Sequence, residues 1–278
     1  MSLDIKNQFD SPVGLIAGNG SLPLEFVHNA RQKGLQVVTV AHIGETAGEI
    51  EQISSSCKWI KVGQLGKLIS FLRKSGVKQA FFAGGICKPK LFSVFNLDFK
   101  GFMTMAKVKT YNDDTVLRAI AKEIEKVGIK IFSAGLILEN SVIKKGSLTK
   151  RALNEEERIN AEIGWEAAEG IGKYDIGQTV VVIKKAVVAV EAIEGTDACM
   201  FRAAELGGKG GVVVKLTKPA QDRRFDLPAV GINTVLNMHK IGATALVLKA
   251  GGAILLKPQE VIDAANLHDI AIEAWDKH

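Results

Sequence analysis

The chain is poor in the residues that build redox and zinc sites. Its 278 residues include three cysteines, Cys57, Cys87 and Cys199. An odd number at wide spacing, with no CxxC pair, excludes a disulfide framework and a thiolate zinc site and fits a reducing compartment. No apolar run approaches the ~20 residues needed to span a bilayer. The opening "MSLDIKNQFD" has neither a basic n-region nor an apolar h-region, so no secretory leader is expected. Lysines are scattered rather than run together, which argues against a nucleic-acid-binding tail. Internal repeats and low-complexity linkers are missing as well. These absences together lead to the expectation of a cytoplasmic protein, at most peripheral to a membrane.

What is present is ordinary in bulk and informative in detail. The composition is 47% hydrophobic and 24% charged, with net charge +6. That is apolar material for two cores, and at roughly 100–200 residues per domain the length predicts two domains. A mild basic excess suits an anionic small substrate or an anionic membrane face, and equally a merely solvated surface.

The first half alternates strand and helix patterns. Val13–Ala17 reads as a buried strand, Leu22–Lys33 as a helix closed by Gly34, and Gln36–Ala41 as a second strand. Gly66–Lys74 reads as a short helix and Gln79–Ala83 as a third strand. Asp113–Val127 is a helix with acidic residues at its start and Gly128 at its stop. Ile129–Ser133 is a further strand. Alternation of this kind predicts a Rossmann-like parallel sheet with right-handed crossovers. The second half changes character. Asn154 caps a helix, and "TVVVIKKAVVAVEA" predicts a hairpin about Lys184–Lys185. "GGVVVKL" is a strand, "ALVLKAGGAILL" a second hairpin about Gly251–Gly252, "PQEVIDAANLH" a helix and "IAIEAW" a last strand. Hairpins mixed with helices predict an α+β domain with a mixed sheet. The fold class is therefore α/β, with a Rossmann-like domain over 1–140 and an α+β domain over 141–278.

Two glycine loops follow predicted strands. In "GLIAGNGSLP" the loop is Gly18-Asn19-Gly20-Ser21-Leu22-Pro23. A dinucleotide fingerprint needs a third glycine and an acidic residue ending the second strand. Here Pro23 replaces the glycine, and the second strand ends at Ala41-His42. A nicotinamide-dependent oxidoreductase is disfavoured on that ground. What survives is backbone N–H groups able to approach an anion at a helix N-terminus, against the alternative of a tight turn without ligand. "FFAGGICKPK" repeats the pattern with Gly84-Gly85. Both loops are expected at the carboxyl ends of the strands, facing one crevice.

Charged residues of the second half gather in two stretches. "VEAIEGTDACMFR" holds Glu191, Glu194, Thr196, Asp197 and Arg202. Its Glu194-Gly195-Thr196-Asp197 is expected to turn into the next helix. "KLTKPAQDRRFDLPAVG" holds Lys215, Lys218, Asp222, Arg224 and Asp226. Arginine and lysine suit phosphate oxygens, while carboxylates suit hard divalent cations or a water nucleophile.

"GLIAGNGSLPLE", "FAGGICKP", the Asp113–Asp114 pair, "DIGQTVVV", "AVEAIEGTD" and "KPAQDRRFDLPAVG" run in order from about Val13 to the C-terminus. In these stretches the chain resembles the LpxI-type UDP-2,3-diacylglucosamine pyrophosphatase family of lipid A biosynthesis. The resemblance implies hydrolysis of UDP-2,3-diacylglucosamine to 2,3-diacylglucosamine 1-phosphate (lipid X) and UMP. It implies Mg²⁺ or Mn²⁺ as cofactor and a substrate held between the two domains. The family's essential aspartate matches Asp226, assigned to metal binding or water activation. Asp197 and Glu194 are expected to help, Asp197 in the metal shell. Lys215, Lys218 and Arg224 are candidates for the diphosphate, Gly18, Asn19, Gly20, Gly84 and Gly85 for the nucleotide crevice, and Thr196 for substrate binding. The expected partner is a UDP-linked diacylated glucosamine lipid and not a nucleic acid. Contact with the cytoplasmic face of the inner membrane and a homodimer stay open. A non-catalytic UDP-sugar or lipid-binding protein is the alternative.

A different diphosphate chemistry uses two metals held by DxH and GNHE stretches. The five histidines, His28, His42, His239, His268 and His278, fall in no such motif, and that mechanism is excluded. Finally, Phe92, Phe95, Phe99 and Phe102 recur at helical spacing on one face. The stripe reads either as core or as an acyl-binding or membrane-facing wall, with Lys100, Lys107 and Lys109 towards anionic lipid.

Overall fold

The computed structural model describes residues 8–86, 97–106, 113–219, 222, 224, 225 and 228–276. The side chains of Asp113 and Asp114 are outside that description. The chain divides into two compact units. The first comprises Met1–Glu139 with Asp222–Asp226, and the second Asn140–Gln221 with Leu227–His278.

In the first unit β1 (Val13–Ala17), β2 (Val37–His42), β3 (Ser56–Ile60), β4 (Gln79–Ala83) and β5 (Lys130–Phe132) form one sheet in the order β3-β2-β1-β4-β5. Every pairing is parallel, the order of a Rossmann-like half. Its helices are α1 (Leu22–Gln32), α2 (Ile50–Ile53), α3 (Leu65–Lys74), α4 (Phe99–Met105) and α5 (Asp113–Glu125). Apolar runs such as VGLIA in β1, buried at every position, are what a strand covered on both faces requires. Phe26, Phe81, Phe9 and Phe132 pack together within the unit. Leu68, Leu72, Ile124 and Phe82 build a further core cluster with Phe225.

The strand β3 is absent from the sequence reading. "SCKWI" alternates exposed and half-buried positions at the sheet edge, so it lacks the apolar run that marks the inner strands.

The second unit opens with β6 (Gly146–Ser147) and α6 (Glu155–Lys173). Asn154 and Glu157 form a reciprocal capping box at the start of α6, which satisfies two otherwise orphaned groups. There follow β7 (Thr179–Ile183), β8 (Ala186–Val190), α7 (Thr196–Gly207), β9 (Val212–Lys215), β10 (Ala229–Val230), α8 (Ile232–Ile241), β11 (Ala245–Lys249), β12 (Ile254–Leu255), α9 (Pro258–Leu267) and β13 (Ala271–Trp275). The six-stranded sheet runs β6-β13-β11-β9-β7-β8. Its middle is parallel and its flanks antiparallel, the mixed sheet expected. Trp165 and Ala168 of α6 pack with Val180, Val182 and Val214. Alternate residues Val181 and Val213 pack instead with Met200, Val235 and Met238, so helices cover both faces. Gly164 lets α6 lie close, since a Cβ there would meet Val214 Cγ2 at 2.6 Å.

The hairpin about Lys184–Lys185 is present, both residues taking positive φ, as two-residue hairpin turns demand. The second expected hairpin is not. β11 pairs in parallel with β9 and β13, whereas β12 pairs in parallel with β10 in a separate two-stranded sheet. The glycine pair sends the chain away from β11: Gly251 has φ +66, and Gly252 presses its bare Cα against the Thr217 hydroxyl.

Candidate functional site

Polar groups of the second unit collect at one end of its mixed sheet. Antiparallel pairing sets Thr179, opening β7, opposite Lys215, closing β9. Glu191 follows β8 directly, its N–H donating to Thr179 O at 2.8 Å. Gly195, with φ +85, caps α7, so Thr196 is that helix's first residue. The Glu-Gly-Thr-Asp stretch thus turns into a helix as expected. Thr196 Oγ1 donates to Glu191 Oε1 at 3.1 Å and accepts from Lys215 Nζ at 3.2 Å. It lies 3.3 Å from Thr179 Oγ1. Glu191, Lys215 and Thr179 are all buried. A buried ammonium beside the positive end of a helix favours an anion.

Of the other residues expected here, Glu194 turns outward. Its Oε1 pairs with Arg202 at 2.7 Å, and its Oε2 accepts from Ala192 N. Its own backbone N–H, then the Arg202 guanidinium, hold its carboxyl below the usual range. Asp197 is exposed in the first turn of α7. Lys218 pairs with Asp175. The structure brings Lys215 and Thr196 together and leaves Lys218 and Glu194 in separate pairs. Glu191 and Thr179, absent from the expected site, complete the cluster; the signal in sequence was the spacing of Glu191 and Thr196 across a Gly-containing turn.

Within the first unit the two glycine loops meet at the carboxyl ends of β1 and β4, where the strand order reverses. Gly18 N donates to Ala83 O at 2.8 Å and Asn19 N to Gly85 O at 2.7 Å. Gly18 is obligatory for this approach, because a Cβ would stand 2.1 Å from Gly85 O. The N–H groups of Gly18 and Asn19 are thereby taken up by the neighbouring loop rather than by an anion. Asn19 also donates from its amide to Glu45 at 3.0 Å.

Beside these loops lies a cavity of about 210 Å³. Its wall is mostly apolar, with Ile16, Leu68, Phe82, Val116, Leu117 and Phe225 among its residues. Gly18, Gly84 and Gly85 reach it, as does His42. Ala17 O, which can only accept, faces His42 Nδ1 at 2.8 Å, so Nδ1 carries the proton and Nε2 a lone pair. Burial pushes the imidazole pKa down, against the Ala17 hydrogen bond and the Glu45 charge.

Phe225 joins this cavity from the long connection between β9 and β10. In the same connection Arg224 pairs with Asp222 at 2.8 Å and with Glu125 at 3.0 Å, and Arg118 with Asp222 at 3.1 Å. Arg224 is therefore held by carboxylates, and its hydrogen bonds chiefly keep the Asp222 carboxyl below the usual range. Asp226 lies outside the described residues.

The phenylalanine stripe is not core where it is described. Phe99 and Phe102 of α4 are 82% and 53% exposed. Asp98 caps this helix and accepts from Gly101 N, Gly66 N and Lys67 N. That fixes Gly101 and Thr104 inward, and a Cβ on Gly101 would meet Gly63 O at 2.3 Å. Phe92 and Phe95 lie outside the described residues, as do Lys107 and Lys109.

A divalent cation asks for several oxygen donors. Among the described residues no group of three or more His, Cys, Asp or Glu side chains gathers to offer them. Among them, too, no helix is long and apolar enough to cross a membrane.

Comparison with known proteins adds the family. The LpxI N-terminal domain matches residues 12–141 and the LpxI C-terminal domain residues 144–273. A curated relative, UDP-2,3-diacylglucosamine pyrophosphatase LpxI of Caulobacter vibrioides, is 31% identical over 265 residues, 91% of this chain and 94% of its own. Among solved structures, the biotin carboxylase domain of Hydrogenobacter thermophilus 2-oxoglutarate carboxylase is 12% identical, with a TM-score of 0.29 over 73% of this chain and 43% of its own. Biotin carboxylase of Campylobacter jejuni is 12% identical, with a TM-score of 0.28 over 72% and 43%. This chain spans less than half of either structure, and likenesses so loose carry no argument. The domain matches, by contrast, together run over residues 12–141 and 144–273, and with the curated relative they establish that the chain belongs to the LpxI family.

Proposed function

We propose that the chain hydrolyses the diphosphate of UDP-2,3-diacylglucosamine, giving 2,3-diacylglucosamine 1-phosphate and UMP in lipid A biosynthesis. The observation that carries this reading is the 31% identity over 94% of a relative bearing that name. The chemistry of the two units supports it. Lys215, buried and bonded to Thr196, suits a phosphoryl oxyanion as a point charge. The apolar cavity of about 210 Å³ suits an acyl chain. Catalysis of phosphoryl transfer rests on positioning and charge stabilisation rather than on covalent chemistry by the protein.

Asp226 is the residue this reading assigns to metal binding or water activation, with Asp197 as the second carboxylate. Mg²⁺ is commonly held by one or two carboxylates together with substrate phosphates. The reading therefore needs no all-protein cage, and Mg²⁺ or Mn²⁺ dependence is part of it. The exposed Phe99, Phe102 and Met103 support work at a lipid surface, the cytoplasmic face of the inner membrane.

The test is incubation with UDP-2,3-diacylglucosamine, with Mg²⁺, with Mn²⁺ or with EDTA, and detection of UMP. Metal-stimulated UMP release is expected. Tight binding of the lipid without UMP would replace the hydrolase by a carrier.

A further inference from the structure

We infer that Glu191 is a positioning residue, acting through the Thr196 hydroxyl to aim the Lys215 ammonium at a diphosphate oxyanion. This rests on the diphosphatase reading for its substrate, and on geometry for its residues.

A threonine hydroxyl has one proton. Glu191 Oε1, at 3.1 Å, takes it, because a carboxylate only accepts. The lone pairs of Thr196 Oγ1 then face Lys215 Nζ at 3.2 Å and the Thr179 hydroxyl at 3.3 Å, which must donate. The hydroxyl is saturated. It presents an acceptor to the ammonium and has nothing left for a ligand. Lys215, by contrast, uses one of its three donors here.

Lys215 is 7% exposed, yet among the described residues it stands in no ion pair. The Glu191 carboxylate is held off by the Thr196 hydroxyl. A buried ammonium with no carboxylate in contact is costly, and an incoming oxyanion would supply that contact. Direct contact with Glu191 would neutralise the lysine in advance. The intervening hydroxyl avoids that while still restricting the lysine's rotamers. Glu191 is itself fixed. Its N–H is bonded to Thr179 O, and its carbonyl is packed so closely on Gly177 that a Cβ there would sit at 1.9 Å. Its Oε2 is buried and unpartnered among the described residues, so the carboxylate's bond to Thr196 is the contact that holds its charge in this place. The helix α7 begins at Thr196, whose hydroxyl Lys215 contacts, and a helix start carries partial positive charge.

The experiment is a double-mutant cycle on the full chain, with Glu191→Ala, Lys215→Ala and the double variant. UMP release gives kcat and KM. Each single change is expected to lower kcat by about 10²-fold, the scale of one lost donor to developing charge. The double variant is expected to be no worse than Lys215→Ala alone, because Glu191 acts through the lysine. Thr196→Val should match Glu191→Ala, and Thr196→Ser, which keeps the hydroxyl, should recover most of that loss. Equal losses from Glu191→Ala in the wild-type and Lys215→Ala backgrounds would overturn the proposal. Calorimetric binding of inorganic pyrophosphate to the same proteins separates the two readings. If wild type releases no UMP but pyrophosphate binding shows the coupling, the positioning stands and the hydrolase falls. Additive losses in binding remove the positioning whatever the wild type hydrolyses.

Discussion

Phe225 meets Phe82 edge-on, ring centroids 5.6 Å apart and planes at 86°. One ring belongs to β4 of the parallel sheet. The other comes from a connection between β9 and β10, strands of the other unit's sequence. Phe225 is 5% exposed, and the Arg224 guanidinium lies 4.9 Å from its centroid. Phe225 of the Arg-Phe-Asp-Leu-Pro stretch is therefore a core residue of the first unit. Phe225→Ala is expected to cost about 4 kcal/mol of stability, as for other buried phenylalanines, and to widen the apolar cavity. Urea unfolding measures the first. An unchanged midpoint would mean that the ring is not anchored there.

Gly18→Ala tests the close approach of the two glycine loops. The new methyl would meet the Gly85 carbonyl oxygen and the Gly84 carbonyl carbon, both backbone, so neither can swing aside. The bonds from Gly18 N and Asn19 N would lengthen or break. A loss of about 3 kcal/mol is expected, the upper range for overpacking. Gly20→Ala is the control. It has φ +79 with open space around it, and only left-handed strain of about 1 kcal/mol should appear. Similar melting points for the two variants would contradict the packing.

His42 gives a pH signature. Burial lowers its pKa in the folded chain, while the unfolded value stays at about 6.5. Below that value the unfolded chain takes up a proton more readily than the folded one. Its contribution is therefore fully present above about pH 6.5 and is lost as pH falls towards the folded pKa. Denaturant midpoints should decline with acid across this window in wild type. His42→Gln should remove that part of the slope, and an identical slope in both proteins would assign the titration to other groups.

How much of this was legible depended on the local signal. The inner strands β1, β2 and β4 are apolar runs, and α6 carries its cap in Asn154, so pattern alone found them. β3 failed because an edge strand needs only one good face. The expected β11–β12 hairpin failed because two glycines mark a turn without saying which sheet the chain re-enters. The polar site was half legible. Lys215 and Thr196 stood out by type, but Glu191 read as a strand residue and not as part of the site. Its role depends on the antiparallel register that sets Thr179 opposite Lys215. The glycine loops suggested an anion cradle by composition. The Gly18 and Asn19 N–H groups are instead donated to the Ala83 and Gly85 carbonyls, a pairing between distant segments that no local pattern contains.

Phe99 offers the sharpest test of the exposed helix face. A glutamate here would stand at the first position of α4, where a negative charge suits the helix dipole. The side chain is 82% exposed, so a change in stability within about 0.5 kcal/mol is expected. The double variant Phe99→Glu with Phe102→Glu replaces two exposed rings by two negative charges beside Lys100. On a lipid surface both changes are unfavourable. They remove apolar area from the acyl boundary and add repulsion from anionic headgroups. Sedimentation with vesicles of anionic phospholipid should therefore fall for the double variant, while its melting temperature stays close to that of wild type. Full retention on vesicles would show that α4 does not meet lipid, and a collapsed melting temperature would return the stripe to the core.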